Sequence, residues 1–174
     1  MIYTAHYTSP LGNMLLAADD TGLTGAWFEC QKYFAAGLAD NCTETNTPIL
    51  SEAKRWLDIY FSGKQPDFTP PLHPSGTAFQ QEVWLILLQI PYGQTTTYGD
   101  IAAHLAKRKN LARMSAQAVG GAVGHNKISI IIPCHRVVGK SGSLTGYAGG
   151  INKKIRLLEL EKTDMHKFFS PKKI

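Results

Sequence analysis

No stretch of this sequence strings together the roughly 18–20 apolar residues that a helix needs to cross a bilayer, so no membrane span is expected. Cysteine is scarce. Cys30, Cys42 and Cys134 are odd in number, and no two stand in a Cys-x-x-Cys pair. That scatter argues against a disulfide framework and a cysteine-built zinc site, and Cys30 and Cys42 read as ordinary residues. Outside His135, the histidines at 6, 73, 104, 125 and 166 share no ligand spacing, so neither a metal nor a cofactor is expected. The start, Met1-Ile2-Tyr3-Thr4-Ala5, lacks the basic opening and apolar core of a signal peptide. Residence in the cytoplasm is expected, with the nucleoid if the source is bacterial. No internal repeat is visible.

What is present suits a folded, soluble chain. Of the 174 residues, 44% are hydrophobic and 18% charged, enough apolar material for one ordinary domain or two small ones. The net charge of +5 permits a polyanionic partner without requiring one. The cations cluster: His104, Lys107, Arg108, Lys109 and Arg113 fall close together, and Lys153, Lys154 and Arg156 form a second group.

Residues 1–65 read as a small α+β lobe. Turns at Ser9-Pro10-Leu11-Gly12 and Asp19-Asp20-Thr21-Gly22 separate three short strands, Ile2–Tyr7, Asn13–Ala18 and Leu23–Phe28, and the period of Ile49, Ala53, Trp56, Leu57 and Tyr60 predicts a helix over Pro48–Phe61. Residues 66–76 carry four prolines, each removing a backbone donor, and read as a linker. Residues 77–164 form a second lobe. Phe79, Val83, Trp84, Leu87 and Leu88 make an apolar helical stripe that Pro91-Tyr92-Gly93 stops. Thr97-Tyr98-Gly99-Asp100 looks like a capping box opening a helix to about Ala106. A second helix from Ala112 or Ser115 to Ala122 completes a helix-turn-helix pattern. Gly139 to Ser143 reads as a hairpin-type loop, and a helix runs from Lys153 to about Lys162. Residues 165–174 are expected to be a loosely held basic tail.

The run Ile132-Pro133-Cys134-His135-Arg136-Val137-Val138 carries the chemistry. The apolar residues from Ile128 to Ile132, rich in β-branched isoleucine and ended by proline, predict a buried strand leading to a turn. A thiol at that exit is held rigidly. A neighbouring imidazole and guanidinium would favour the thiolate, the nucleophilic form.

Cys134, His135, Arg136, Tyr98, Asn126, Tyr147, Lys154 and Glu161, in this order along the chain with their flanks, resemble the O6-alkylguanine-DNA alkyltransferases, also called methylated-DNA-protein-cysteine methyltransferases. The matching segments are Phe79–Trp84, Ile90-Pro91-Tyr92-Gly93, Thr97-Tyr98-Gly99, Ala118-Val119-Gly120-Gly121-Ala122, Asn126, Pro133-Cys134-His135-Arg136, Gly146-Tyr147-Ala148-Gly149-Gly150 and Lys154–Glu161. The N-terminal lobe matches more loosely, through Ser9-Pro10-Leu11-Gly12 and Trp27-Phe28. The resemblance implies an RNase H-like first lobe and a winged-helix-like second lobe. It implies irreversible transfer of an alkyl group from O6-alkylguanine in double-stranded DNA to Cys134, one transfer per molecule, with O4-alkylthymine left open. His135 would act through a water as base and Glu161 would orient it. Tyr98 would donate toward the purine, and Asn126 would brace the backbone.

In the same implied site, Tyr147, Val137, Lys154, Gly149 and Gly150 would line the substrate pocket. Ser115, Ala116, Gln117, Ala118, Arg113 and Arg136 would meet the DNA from its minor-groove side. A monomer is expected, with no membrane partner. Two rival readings stay open, a non-catalytic lesion binder and a Cys-His hydrolase.

The sequence departs from the family at one position. An arginine usually stands in the recognition helix and replaces the flipped base, whereas Gln117 occupies the place nine before Asn126. Glutamine fills a gap without charge and with a smaller stacking plane. Weaker base extrusion or a different lesion preference is therefore expected, and Gln117→Arg should change equilibrium binding to a lesion-containing duplex or the repair rate; unchanged affinity and repair rate would deny Gln117 a specialised role.

Overall fold

Ser9 makes the first turn tight. Its hydroxyl donates to the Gly12 carbonyl at 2.6 Å and accepts the Leu11 N–H at 3.1 Å. The flanking strands β1 (Tyr3–Ser9) and β2 (Gly12–Ala18) thereby pair antiparallel with Ser9 opposite Gly12. The Asp19 carboxylate closes the next turn by accepting the Thr21 and Gly22 N–H groups, and β3 (Leu23–Phe28) runs back along β2. A two-residue strand, β4 (Thr43–Glu44), adds parallel to β1, giving the order β3-β2-β1-β4. Helix α1 (Pro48–Phe61), capped by the Thr47 hydroxyl, turns Leu50, Ala53, Trp56, Leu57 and Tyr60 inward. These elements belong to a first unit, Met1–Ser75 with Lys127–Ile131. The computed structural model describes residues 1–170; the last part of the expected basic tail, 171–174, lies outside the described residues.

Two expectations for this unit need correction. Residues of the proline-rich stretch are stitched to β3: the Leu23 N–H donates to the Pro71 carbonyl and the His73 N–H to the Leu23 carbonyl, both at 2.7 Å. The apolar run at 128–132 is buried but is not a strand. Ile128 bridges Ala26, the Ser129 N–H bonds the Ala26 carbonyl at 2.9 Å, and the chain then turns through Ile130 at φ +72°. The open edge of β3 is thus covered by two short pieces, Leu72 beside Leu23 and Ile128 beside Ala26. Ile128 contributes one bridge to that edge, so the hydrophobicity of the isoleucines reports burial more than pairing.

The second unit comprises Gly76–Asn126 and the chain from Ile132 onward. Helix α2 (Ala78–Leu87) opens with a full capping box between Thr77 and Gln80. Helix α3 (Tyr98–Arg108) opens on Thr97, whose hydroxyl accepts the Asp100 N–H at 3.0 Å, and α4 (Ala116–Gly124) opens on Ser115 in the same way. Helix α4 packs against both α2 and α3, and the Trp84 indole N–H ties α2 to the Ala122 carbonyl at 2.9 Å. A short parallel ribbon joins β5 (Thr96–Thr97) to β6 (Val137–Val138). Helix α5 (Ile151–Leu160) buries Lys154, Leu157 and Leu158.

The tail is not loose over its described part. The Leu144 N–H donates to the Phe169 carbonyl at 2.8 Å, and the Phe169 N–H donates to the Gly142 carbonyl at 3.1 Å. Met165 and Phe168 pack on a cluster of Val138, Leu144 and Leu158.

Candidate active site

Cys134 begins a single 3-10 turn, Cys134–Arg136, that follows Pro133 and leads into β6. Asn126, at the end of the α4 connection, donates its Nδ2 hydrogen to the Ile132 carbonyl at 2.8 Å and so fixes the approach to the turn. The Cys134 side chain is buried. Burial pushes its thiol up; the Asn126 amide, the Lys154 charge and the N–H groups of Cys134 and His135 pull the other way without reversing it. The thiol is therefore protonated at neutral pH, and the cation that favours its ionisation is Lys154. The expectation that the adjacent imidazole and guanidinium would do so is corrected, because both are directed at Glu161.

Glu161 follows α5 directly and is completely shielded. His135 Nε2 meets its Oε2 at 2.5 Å, while Arg136 Nε and the Gly93 N–H reach Oε1 at 2.8 and 3.0 Å. The side chains of His135 and Glu161 expose 0% of their surface. Burial alone would raise the Glu161 carboxyl, but the bonds and charges of His135 and Arg136 bring it down to about 2. Burial holds His135 below the ordinary histidine value, and the Arg136 and Lys154 charges add to this against the opposing pull of Glu161. An ionised carboxylate can only accept, so the neutral imidazole carries its hydrogen on Nε2 and its basic lone pair on Nδ1. The Ile90 carbonyl takes Arg136 Nη1 at 2.8 Å, and the guanidinium lies over the Tyr92 ring at 5.6 Å.

The sequence alone assigns Gly93 and Ile90 no role at the site. Their Ile90-Pro91-Tyr92-Gly93 turn was the signal. Gly93 sits at φ +78°, where a side chain is strained, and a Cβ there would stand 3.1 Å from the Glu161 carbonyl oxygen.

Tyr98 and Lys154 bracket the opposite side. The Tyr98 hydroxyl donates to the carbonyls of Thr145 and Gly146 at 3.2 and 3.3 Å, and burial, with the Cys134 charge second, pushes it up to about 12. Lys154 is wholly buried, donates to the Val137 carbonyl at 2.6 Å and the Thr145 carbonyl at 2.9 Å, and burial lowers it to about 8. One acceptor position of Val137, expected to face a substrate, is thus engaged by Lys154. Tyr147 is buried, Gly149 half-buried, and Gly150 precedes α5 at φ +96°.

On the α4 side, Arg113, Ser115, Ala116, Gln117 and Ala118 are all exposed. Arg136 is not. Its guanidinium is committed to Glu161 and Ile90, which corrects its expected place among the DNA contacts. Among the described residues no helix is long and apolar enough to cross a membrane, and no group of three or more His, Cys, Asp or Glu is gathered to hold a metal ion.

Two family models match the chain. One is the 6-O-methylguanine DNA methyltransferase ribonuclease-like domain over residues 2–74, and the other the DNA binding domain of the same family over 78–163. A methylated-DNA-protein-cysteine methyltransferase of Haemophilus influenzae is 41% identical, with 92% of this chain and 87% of that one aligned. Its counterpart in Methanosarcina acetivorans is 44% identical, with 92% and 98% aligned. The crystal structure of Mycobacterium tuberculosis OGT in complex with DNA superposes with a TM-score of 0.78 at 43% identity, covering 92% of each chain.

The Glu161 cluster sets an acid response. A carboxyl held at about 2 against an ordinary 4.5 favours the folded state fully above 4.5, and that contribution drains away as pH falls from about 4.5 to about 2. Glu161→Gln is expected to flatten this acid limb. It should also cost about 3–5 kcal/mol at neutral pH, because Arg136 stays buried without its anion. Urea unfolding at a series of pH values measures both.

Proposed function

This chain belongs to the methylated-DNA-protein-cysteine methyltransferase family, and from that membership we propose how its own residues carry out direct DNA repair at O6-alkylguanine. The observation that carries the reading is the buried Cys134 on a turn whose next residue, His135, is clamped to Glu161 at 2.5 Å. Attack by sulfur on the saturated carbon forms the S–C bond as the carbon–O6 bond breaks, and the electron pair passes into the purine. His135, neutral and with its lone pair on Nδ1, takes the thiol proton through an intervening water. Tyr98 supplies a proton to the leaving purine, and the proton taken up by His135 is then released to restore the Tyr98 hydroxyl. The net change moves the alkyl group to sulfur and the thiol proton to guanine, with nothing else consumed. Tyr147 walls the alkyl pocket together with Gly149 and Gly150, and Lys154 supplies positive charge beside the sulfur. A thioether has no good leaving group, so each molecule transfers once.

The target base must leave the stack to reach a buried thiol. We assign the approach to DNA to the exposed start of α4, Ser115 to Ala118, with Arg113 behind it. Helices α3 and α4 then act as a helix-turn-helix in a winged-helix-like unit, entering from the minor-groove side. The first unit is RNase H-like, the protein works as a monomer in the cytoplasm, and O4-alkylthymine is a candidate second substrate. A lesion binder needs no nucleophile, so Cys134 itself speaks against that rival.

Intact-protein mass after mixing with an O6-methylguanine duplex separates the readings. One retained methyl group on Cys134, absent in Cys134→Ser, is expected. No adduct would favour a lesion binder, and repeated turnover a hydrolase.

A further inference from the structure

We propose that the segment Met165–Phe169, strapped across Gly142 and Leu144, sets which alkyl groups the Cys134 pocket admits; the proposal rests on the alkyl-transfer reading above. The loop that follows β6 is closed at its base by the Gly139 N–H on the Ser143 carbonyl at 2.7 Å. Its inner side faces residues assigned above to the alkyl-transfer site. The Thr145 carbonyl accepts both Lys154 and Tyr98, and Tyr147 comes two residues later.

The outer side of the same loop is held by the strap. Phe169 brackets Ser143 through bonds to Gly142 and Leu144 at 3.1 and 2.8 Å, and Met165 and Phe168 cover the cluster that contains Leu144. Leu144 is 3% exposed and directly precedes Thr145, so the strap's grip passes to the pocket wall through one peptide bond.

Gly142 gives independent support. It stands at φ +90°, and a Cβ there would collide with the carbonyl oxygen of Lys167. The strap lies so close that only glycine fits beneath it. Two opposed sets of bonds therefore fix the loop, Lys154 and Tyr98 from within and the strap from without. Releasing the outer set frees the wall to move back, which relieves crowding for a bulky group and gives a methyl group no benefit.

The test uses the full chain with Met165→Ala/Phe168→Ala and, separately, Gly142→Ala. Rates of Cys134 adduct formation are compared for O6-benzylguanine and O6-methylguanine duplexes, and exchange of the Leu144 amide is followed alongside. The benzyl-to-methyl rate ratio is expected to rise about fivefold in both variants, with faster Leu144 exchange, while Phe168→Leu keeps the original ratio. An unchanged ratio in both variants overturns the proposal, as does a Leu144 amide that exchanges freely in the unaltered protein. If the unaltered protein forms no adduct with the methyl lesion, the transfer reading has failed, and that result is read without any variant.

Discussion

The site depends on one buried anion. Glu161 gathers an imidazole, a guanidinium and a backbone N–H, and in doing so ties the end of α5 to the Cys134 turn and to the loop after α2. Removing a carboxylate and a guanidinium from water costs several kcal/mol per ion, and their attraction repays it only when the remaining hydrogen-bonding capacity is used. Here Oε1 takes two donors and Oε2 a third, and Arg136 spends another hydrogen on Ile90. The arrangement leaves Arg136 as the charge partner and His135 as a neutral donor. One carboxylate therefore both holds the turn together and decides which imidazole nitrogen can take a proton.

The sulfur sits in a different electrostatic setting. Its nearby cation, Lys154, is itself desolvated and down at about 8, and both of its assigned bonds go to backbone carbonyls. Burial keeps the thiol protonated in this state. That suits a reagent that can be used only once, since an exposed thiolate would react with any electrophile. In the proposed reaction His135 is the acceptor of the thiol proton.

Local signals located most of the fold. Asp19, Ser9 and the cap residues Thr47, Thr97 and Ser115 bond their neighbours as their types predict, so strands β1 to β3 and the major helices were legible to within a few residues. What failed was information held elsewhere in the chain. Ile128 to Ile132 carries strand composition, yet its pairing is limited to one bridge with Ala26. Leu72 sits among prolines and still lies beside Leu23, because a proline-rich segment has free carbonyls and the edge of β3 has N–H groups to give. The described tail reads as charged and loose, but Met165 and Phe168 find an apolar cluster. The same holds at the site. His135 and Glu161 were paired through resemblance, whereas the diversion of Arg136 from DNA to Glu161 and the part played by Gly93 appear only in three dimensions.

The central claim is that burial, aided by the Arg136 and Lys154 charges, keeps His135 neutral, and that Glu161 fixes its hydrogen on Nε2 and its lone pair on Nδ1. Nitrogen-15 NMR of the labelled imidazole across the pH range where histidines ordinarily titrate, near about 6.5, tests it most directly. The expected spectrum shows a protonated Nε2 and an unprotonated Nδ1 throughout neutral pH, with any titration below the ordinary midpoint. An imidazolium that persists to or above that midpoint would contradict the account.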